Sequence, residues 1–402
     1  MHLNRLNNSK VAKSFLPPPP FLIQVITGMT RNLTHKERIL AAVNHEKSDQ
    51  VPTYGFKVEP GFTKAWDQAH EVDDDNWVQF RQDQTILVEL GVDGTTDPGL
   101  GDRPDPEFDF EPFFIDDDML VGPNGRVTKI ASGGRHYYQD GYWTSLDVRE
   151  QFPPKIPQDQ AVYDEFEKFY KREVLEKDKI FVFPIINGFH EGIWLSIGYV
   201  AFAKEIRKPT GLLDSLVDEL FHVNMEICKR ILDIDSEIII AFTDDIAYKG
   251  NLLLSPRAFR RFYAPRYKQM FDYIHKRGGK TMIHTDGDIS PLLPDYVDIG
   301  LDLLQGLEPI AGVDIIELNE KYGDDIAWNG NIDVSRLLWK GTPAQVREQC
   351  KKVINAVAPS NNLVFGPSTD IMSFHSVENI KTLYETARDY DMESHQFNRG
   401  SP

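Results

Sequence analysis

The sequence predicts one (β/α)8 barrel with a β-rich excursion between its second and third strands. Eight short apolar runs recur along the chain, helical patterns separate most of them, and residues 100–150 interrupt the alternation. Strands that are apolar throughout are buried on both faces, which is typical of a parallel sheet covered by helices. Eight such strands favour closure into a barrel. An open doubly wound sheet is the alternative.

The predicted strands are short runs rich in apolar and β-branched residues. In chain order they are Val51–Phe56, Val92–Thr96, Lys179–Ile186, Glu237–Phe242, Lys280–His284, Leu301–Gln305, Asp325–Asn329 and Leu363–Gly366.

The predicted helices have recognisable ends. Thr34 and Glu37 have the spacing of a capping box at the start of a helix. Ser255, Pro256 and Gly278 have the positions of an N-cap, a first-turn proline and a C-terminal stop, which predicts one helix between them. In the excursion, residues 122–125 predict a hairpin turn between short β-like runs. We expect the excursion either to cover the mouth of the barrel or to be an insertion without a catalytic role.

The charge balance excludes some classes of partner. The 402 residues include 62 Asp and Glu against 44 Lys and Arg, a formal net charge of −18. Such a surface repels nucleic acid and anionic membranes, so we expect neither as a partner. The chain has no apolar run of about 18 residues, the length of a transmembrane helix. Its two cysteines, Cys228 and Cys350, imply neither a disulfide framework nor a thiolate-rich metal site, and we expect a cytoplasmic protein.

Residues 1–28 differ from the rest of the chain. They contain basic residues, no acidic residue and a run of consecutive prolines, which no helix or central strand accommodates. We predict a disordered extension over residues 1–28, with a start at Met29 or an organelle-targeting segment as alternatives. The barrel domain is predicted to span residues 29–395.

Polar and ionisable residues follow the predicted strands at the same position several times. The carboxyl ends of barrel strands meet at one face, where the active sites of such barrels lie. The aromatic residues near these ends are candidate walls of a substrate pocket: Tyr54, Phe56, Phe189 and Trp194. The candidate polar residues are His190 and Glu191, Asp244 and Asp245, His284 and Asp286, Glu308, and Asn329 and Asp333. Of these, we assign His190, Asn329 and Asp333 to substrate binding.

Among the candidate polar residues, His284 and Asp286 give the strongest indication of a metal or proton-transfer site. Alternate residues of a strand point to the same side, so these two side chains face the same way. An imidazole and a carboxylate can hold a divalent metal or exchange a proton. In the alternative interpretation, Asp286 hydrogen-bonds its own turn before Gly287, and His284 is a packed residue near the core.

Asp244 and Asp245 are adjacent, so at most one of them faces the barrel axis. That residue would be an acid, a base or a metal ligand, and the other would cap the following turn. His190 and Glu191 leave a similar choice, because Glu191 is also a reasonable first residue of a helix.

Several segments resemble the uroporphyrinogen-decarboxylase superfamily. Residues 34–52 are similar to the opening of its members, and residues 280–289, KTMIHTDGDI, to one of their strand ends. The other similar segments follow in the same order: 244–265, 307–314, 330–333, 366–368 and 377–379. The resemblance spans residues 30–390 and implies a (β/α)8 barrel.

The resemblance implies two kinds of activity. One branch of the superfamily decarboxylates uroporphyrinogen without a cofactor and binds its carboxylates through an arginine-rich segment after the first strand. Here that segment, residues 54–64, contains no arginine, although a polycarboxylate needs bidentate cationic partners. The other branch moves methyl groups to or from a corrinoid protein or a thiol such as coenzyme M.

The methyl-transferring branch also implies a zinc site. Its better-known members bind zinc through a histidine and a cysteine two residues apart, plus a later cysteine. In this chain His284 is retained, Asp286 stands in place of the first cysteine, and Ser368 lies near the second. We therefore expect a zinc site with oxygen ligands in place of thiolates. Its ligands would be His284, Asp286 and one further carboxylate, Glu308 or Asp244.

We predict a metal-assisted methyltransferase or demethylase that acts on a small methylated substrate, with a separate corrinoid protein as the methyl acceptor. The candidate catalytic residues are His284, Asp244, Asp245 and Glu308. One alternative is a cofactor-free decarboxylase of a small carboxylic acid, for which Lys57 and Lys64 are the nearest cations. The other alternative is a non-catalytic binding barrel. A homodimer is a further expectation.

Overall fold

The computed structural model describes residues 32–69, 82–131 and 136–390. The extension predicted at residues 1–28 lies outside the described residues, as do residues 29–31 and 391–395 of the predicted domain. From Leu33 onwards the described chain forms one compact unit.

In these residues, eight parallel strands close into a barrel. Seven of them form one continuous sheet in chain order. The first strand, β1, is short: Thr53 pairs with Phe365 of the last strand, and Tyr54 pairs with Gly94 of the second. It therefore joins the two edges of the sheet, and the predicted barrel is confirmed. The strands are β1 (Thr53 and Tyr54), β2 (Gly94–Asp97), β3 (Phe181–Asn187), β4 (Ile239–Thr243), β5 (Lys280–His284), β6 (Leu303–Gln305), β7 (Ala327–Ile332) and β8 (Leu363–Pro367).

Helices alternate with these strands and cover them. Each of the eight predicted strand segments overlaps one observed strand, because an apolar run buried on both faces is easily recognised in a sequence. The α-helices are His35–Val43, Pro60–Ala69, Gln82–Glu89, Leu146–Arg149, Gln160–Phe169, Phe189–Ile197, Tyr199–Arg207, Leu212–Ile234, Pro256–Phe262, Ala264–Arg277, Leu293–Ile299, Ile315–Tyr322, Leu337–Lys340, Pro343–Val357 and Val377–Arg388, with a π-helical segment at Tyr170–Glu176.

Local capping explains several helix ends. The Thr34 hydroxyl accepts a hydrogen bond from the Glu37 N–H at 3.2 Å, and the Glu37 carboxylate accepts one from the Thr34 N–H at 2.8 Å. This is the predicted capping box. The single helix expected after Ser255 is divided in two at Tyr263, because Pro265 has no N–H and its ring crowds the preceding turn.

Between β2 and β3 the chain leaves the barrel and forms a separate antiparallel sheet. Its strands are Phe113–Asp116, Met119–Val121, Arg126–Ile130 and His136–Gly141. The Gly125 N–H donates to the Gly122 carbonyl at 3.0 Å in the turn, and a φ of +72° suits Gly125. Tyr138 of this sheet contacts Trp194 edge-on, with ring centroids 5.3 Å apart. Because Trp194 belongs to the helix after β3, the excursion stands beside the carboxyl face of the barrel.

No helix in the described residues is both long enough and apolar enough to cross a bilayer.

Candidate functional site

His284, the last residue of β5, is oriented by a glutamine at the end of β6. Gln305 lies opposite His284 in the strand register. The Gln305 Nε2 donates to the Ser368 carbonyl at 3.0 Å, so its Oε1 faces His284 and accepts a hydrogen bond from Nδ1. Nδ1 therefore carries the ring proton, and Nε2 is left as a free base or metal ligand. Phe56 stacks on the imidazole, with centroids 4.3 Å apart.

Two carboxylates face the free nitrogen of His284. Its Nε2 lies 3.8 Å from Oδ1 of Asp286, and an oxygen of Asp245 joins these atoms in a group whose members lie within 4.8 Å of one another. Oδ1 of Asp286 is buried and has no hydrogen-bond partner among the described residues. One imidazole nitrogen and two carboxylate oxygens so arranged suit three bonds of about 2.0–2.2 Å to a divalent metal, with a further position open.

Burial raises the pKa of several carboxyl groups around this cluster. Burial, together with the charges of Asp245 and Glu308, raises the pKa of Asp286 to about 8. Burial also raises the pKa values of Glu308, Glu191 and Asp370. Oδ1 of Asp370 is another buried oxygen without a hydrogen-bond partner in the described part of the chain. Carboxylates that are crowded together and poorly ionised are stabilised by a cation bound between them.

The structure separates the roles of Asp244 and Asp245. Oδ2 of Asp244 accepts a hydrogen bond from the Tyr267 hydroxyl at 2.7 Å, and Oδ1 accepts one from the Glu191 N–H at 3.0 Å. Burial raises the pKa of Asp244 to about 7. Its side chain thus caps the first turn of the helix Phe189–Ile197 instead of completing the metal site. Asp245, which points to the other side, lies beside His284 in its place.

A glycine lets this helix begin close to the end of β4. A Cβ atom at Gly188 would lie 2.4 Å from Cβ of Asp244, nearer than two carbon atoms can approach. The close approach brings the first turn of the helix towards the cluster, so that the charge of Asp245 acts on Glu191.

Three other predicted polar residues lie near the site without joining the three-ligand group. Oε2 of Glu308 accepts a hydrogen bond from the Gly287 N–H at 3.2 Å, which holds the loop after β5. Asp333 accepts the Ser335 N–H at 2.7 Å and caps its own turn. Asn329 is fully buried, and its Oδ1 has no hydrogen-bond partner among the described residues.

The predicted pocket residues fall into two sets. Tyr54, Phe189 and His190 are each 0% exposed, so they support the site from within the core. Burial lowers the pKa of His190 to about 3 and keeps it neutral. Phe56 and Trp194 are partly exposed at the carboxyl face, and they are the residues of the predicted set that can form an accessible wall.

The sequence analysis did not assign Gln305, Asp370 or Arg126 to the site. Gln305 ends a predicted strand and Asp370 follows another, so their positions at the carboxyl face were usable signals. Arg126 belongs to the excursion, and its charge acts on Glu191. No sequence pattern relates those two residues.

Comparison with known proteins places the chain in a family. The family model for uroporphyrinogen decarboxylase (URO-D) matches residues 186–390, about half of the chain. The methylcobamide:CoM methyltransferase MtbA of Methanosarcina acetivorans is 22% identical over 179 residues, 44% of this chain and 50% of the relative. The chain thus matches half the length of that curated relative.

A solved structure agrees with the fold. A methyltransferase from Methanosarcina mazei has a TM-score of 0.62 and 19% identity to this chain, and the alignment covers 88% of this chain and 98% of that one. At this identity the likeness shows a shared fold, and function must be argued from the site.

Proposed function

Because the chain belongs to the uroporphyrinogen decarboxylase family, we propose that it is a metal-assisted methyltransferase acting on a small methylated substrate. The observation that carries the proposal is the group formed by Asp245, His284 and Asp286, whose ligand atoms lie within 4.8 Å of one another. A curated relative, MtbA, and a solved structure of the same fold are both methyltransferases by name, which supports methyl transfer over other reactions of a metal site.

The donor set fits a divalent metal of borderline hardness. Zinc accepts one histidine and two carboxylates in a catalytic site, and a fourth position then takes substrate or water. When bound here, zinc supplies Lewis-acid polarisation of the atom that leaves the methyl group. The surrounding residues serve this chemistry: Gln305 holds the ring proton of the neutral imidazole on Nδ1, so that Nε2 of His284 faces the metal position, and Phe56 covers the imidazole. Burial raises the pKa values of Glu191 and Glu308, which makes them the candidate proton donors to the leaving atom.

The methyl acceptor in this proposal is a corrinoid bound to a separate protein. The support is the name of MtbA, a methylcobamide:CoM methyltransferase. The acceptor can be tested with free cob(I)alamin, because methylation changes its visible spectrum. The expected homodimer, and the expectation that nucleic acid is not a partner, stay predictions.

The proposal is tested by measuring the metal content of the purified chain by plasma mass spectrometry. We expect about one zinc per chain in the wild type and a loss of zinc in His284→Ala, because the imidazole is a direct ligand. His222→Ala is the matched control, since His222 is exposed on the helix Leu212–Ile234. Absence of metal from the wild type, even after incubation with zinc, would overturn the proposal.

A cofactor-free decarboxylase is the second candidate. The observation that favours it is the presence of cations at the site: Lys57 acts on Asp370, and Arg126 acts on Glu191. A decarboxylase needs a cation to orient the acid and a proton donor to quench the carbanion. Release of carbon dioxide from a small carboxylic acid by metal-free protein would favour this candidate over methyl transfer.

A further inference from the structure

We propose that the β-rich excursion adds a carboxylate-binding subsite to the metal site, with Arg126 as its cation. The inference rests on the proposed function, because the group bound there is the acid end of the methylated substrate. It narrows the substrate class to small methylated carboxylic acids with a flat apolar body.

Arg126 and the metal cluster are both close enough to Glu191 for their charges to act on it. Arg126 begins the excursion strand that packs on the helix Phe189–Ile197. The charges of Arg126, Asp245 and His284 all act on Glu191. A ligand that spans the site can therefore reach the guanidinium at one end and the metal group at the other.

Three hydrogen-bond donors near Glu191 lack partners. Nε of Arg126, Nε1 of Trp194 and the hydroxyl of Tyr138 are buried and have no hydrogen-bond partner among the described residues. Trp194 lies three residues after Glu191, so both are on the same face of their helix, and Trp194 contacts Tyr138 edge-on. Buried donors are costly to leave unpaired. A carboxylate only accepts hydrogen bonds, so one carboxylate can satisfy this group.

The charge at this place also suits an anion. Nε of Arg126 has no hydrogen-bond partner in the described part of the chain, so no described carboxylate binds this nitrogen. A substrate carboxylate then forms a charge-assisted hydrogen bond with the guanidinium at the site.

Aromatic rings define what lies between the two ends. Trp194 stacks on Tyr199, with centroids 4.3 Å apart, and the charge of Asp245 acts on Tyr199. Trp194 lies on the helix that the Arg126 strand contacts, so in this proposal the two rings line the space between Arg126 and the metal ligands and offer flat walls to an aromatic or other planar body. The same rings, beside carboxylates, would also suit a quaternary ammonium group through cation–π contacts, and the test below separates these two ligand classes.

The test compares two probes of nearly equal shape, 3-methoxybenzoate and 3-methoxybenzamide. Their binding to the zinc-loaded full-length chain is measured by titration calorimetry. We expect the wild type to prefer the benzoate, and Arg126→Gln to weaken benzoate binding about 10- to 100-fold while leaving amide binding within about twofold. Arg126→Lys should retain part of the preference. Tyr138→Phe and Trp194→Phe should each weaken benzoate binding severalfold.

Lys129→Gln is the matched control. Lys129 is on the same strand, is exposed, and pairs with Asp118 at 3.0 Å, so its loss should leave both probes unaffected. Thermal melting of each variant checks that the fold is intact. Benzoate binding that is equal in wild type and Arg126→Gln, no benzoate binding at about 10 mM, or a preference for tetramethylammonium over benzoate would each overturn the proposal.

The same titration with zinc-free protein distinguishes this proposal from the proposed function. If the chain binds no zinc but still binds benzoate through Arg126, metal-assisted methyl transfer fails and the carboxylate subsite stands. If zinc binds normally and benzoate binding does not depend on Arg126, the subsite fails and the metal site stands.

Discussion

Nδ1 of His284 donates a hydrogen bond to Oε1 of Gln305, and this contact decides which imidazole nitrogen faces the carboxylates. The amide of Gln305 cannot turn over without losing its own bond to the Ser368 carbonyl at 3.0 Å. Residues from β5, from β6 and from the segment just after β8 therefore hold one ring nitrogen ready to bind a metal. Such contacts behind a ligand set both its orientation and its basicity.

The first prediction concerns this contact. Gln305→Leu should weaken zinc binding by about 10- to 100-fold although no ligand is removed, because the imidazole loses the acceptor that fixes its tautomer. The measurement is competition with a chelator of known zinc affinity. Gln269→Leu, at an exposed position, is the control and should leave the affinity unchanged. An unaltered affinity in Gln305→Leu would show that Gln305 does not orient the ligand.

The second prediction separates the two adjacent aspartates. Asp245→Asn should lower zinc affinity at least about tenfold with little change in stability, since a carboxylate ligand becomes a weaker amide. Asp244→Ala should keep zinc affinity within about threefold but cost about 1–3 kcal/mol of unfolding free energy, because the Tyr267 hydroxyl and the Glu191 N–H lose their acceptor. Chelator competition and urea denaturation give the two quantities. The opposite pattern would place Asp244 at the metal.

The third prediction concerns closure of the barrel. Asp93 is 5% exposed and accepts hydrogen bonds from the Thr53 N–H at 2.8 Å and from Nη1 of Arg38 at 3.1 Å. It thus joins β1 to the chain before β2 and to the first helix. Asp93→Ala should lower the free energy of unfolding by about 1–3 kcal/mol, because the buried Thr53 N–H and one N–H of the Arg38 guanidinium lose their acceptor. Urea denaturation measures this loss of unfolding free energy. The control is Asp324→Ala, because Asp324 is exposed. A loss no larger than in the control would contradict this role.

The fourth prediction is a pH dependence caused by His190. Burial lowers its pKa to about 3 in the folded chain, below the value of about 6.5 for an unfolded histidine. As pH falls below 6.5, His190 binds a proton in the unfolded state but stays neutral in the folded state. The free energy of unfolding therefore falls by up to about 1.4 kcal/mol per pH unit.

The test is the slope of stability against pH. His190→Leu should lose less stability than the wild type between about pH 6.5 and 4, because it removes this linkage. The exposed His222→Leu should keep the wild-type slope. Equal slopes in His190→Leu and the wild type would mean that His190 becomes protonated in the folded state.

The sequence by itself determined the barrel and the face on which its site lies. A strand buried on both sides must be apolar throughout, so eight apolar runs predicted eight strands. Capping is also local, which is why the pair Thr34 and Glu37 predicted the start of the first helix. The pairing of His284 with Asp286 followed from strand alternation, and the two side chains do face each other.

Only the tertiary structure decided which neighbours complete that site. Strand alternation predicts that the side chains of Asp244 and Asp245 point in opposite directions, but it does not predict which one is buried. Asp244 is the buried one because it accepts a hydrogen bond from Tyr267, which belongs to a helix packed outside the barrel. Gln305 becomes important because its strand lies in register with His284. The charge of Arg126 acts on Glu191 because the excursion sheet packs on the helix that follows β3. Each of these contacts joins residues far apart in the chain, and no local pattern records the packing that brings them together.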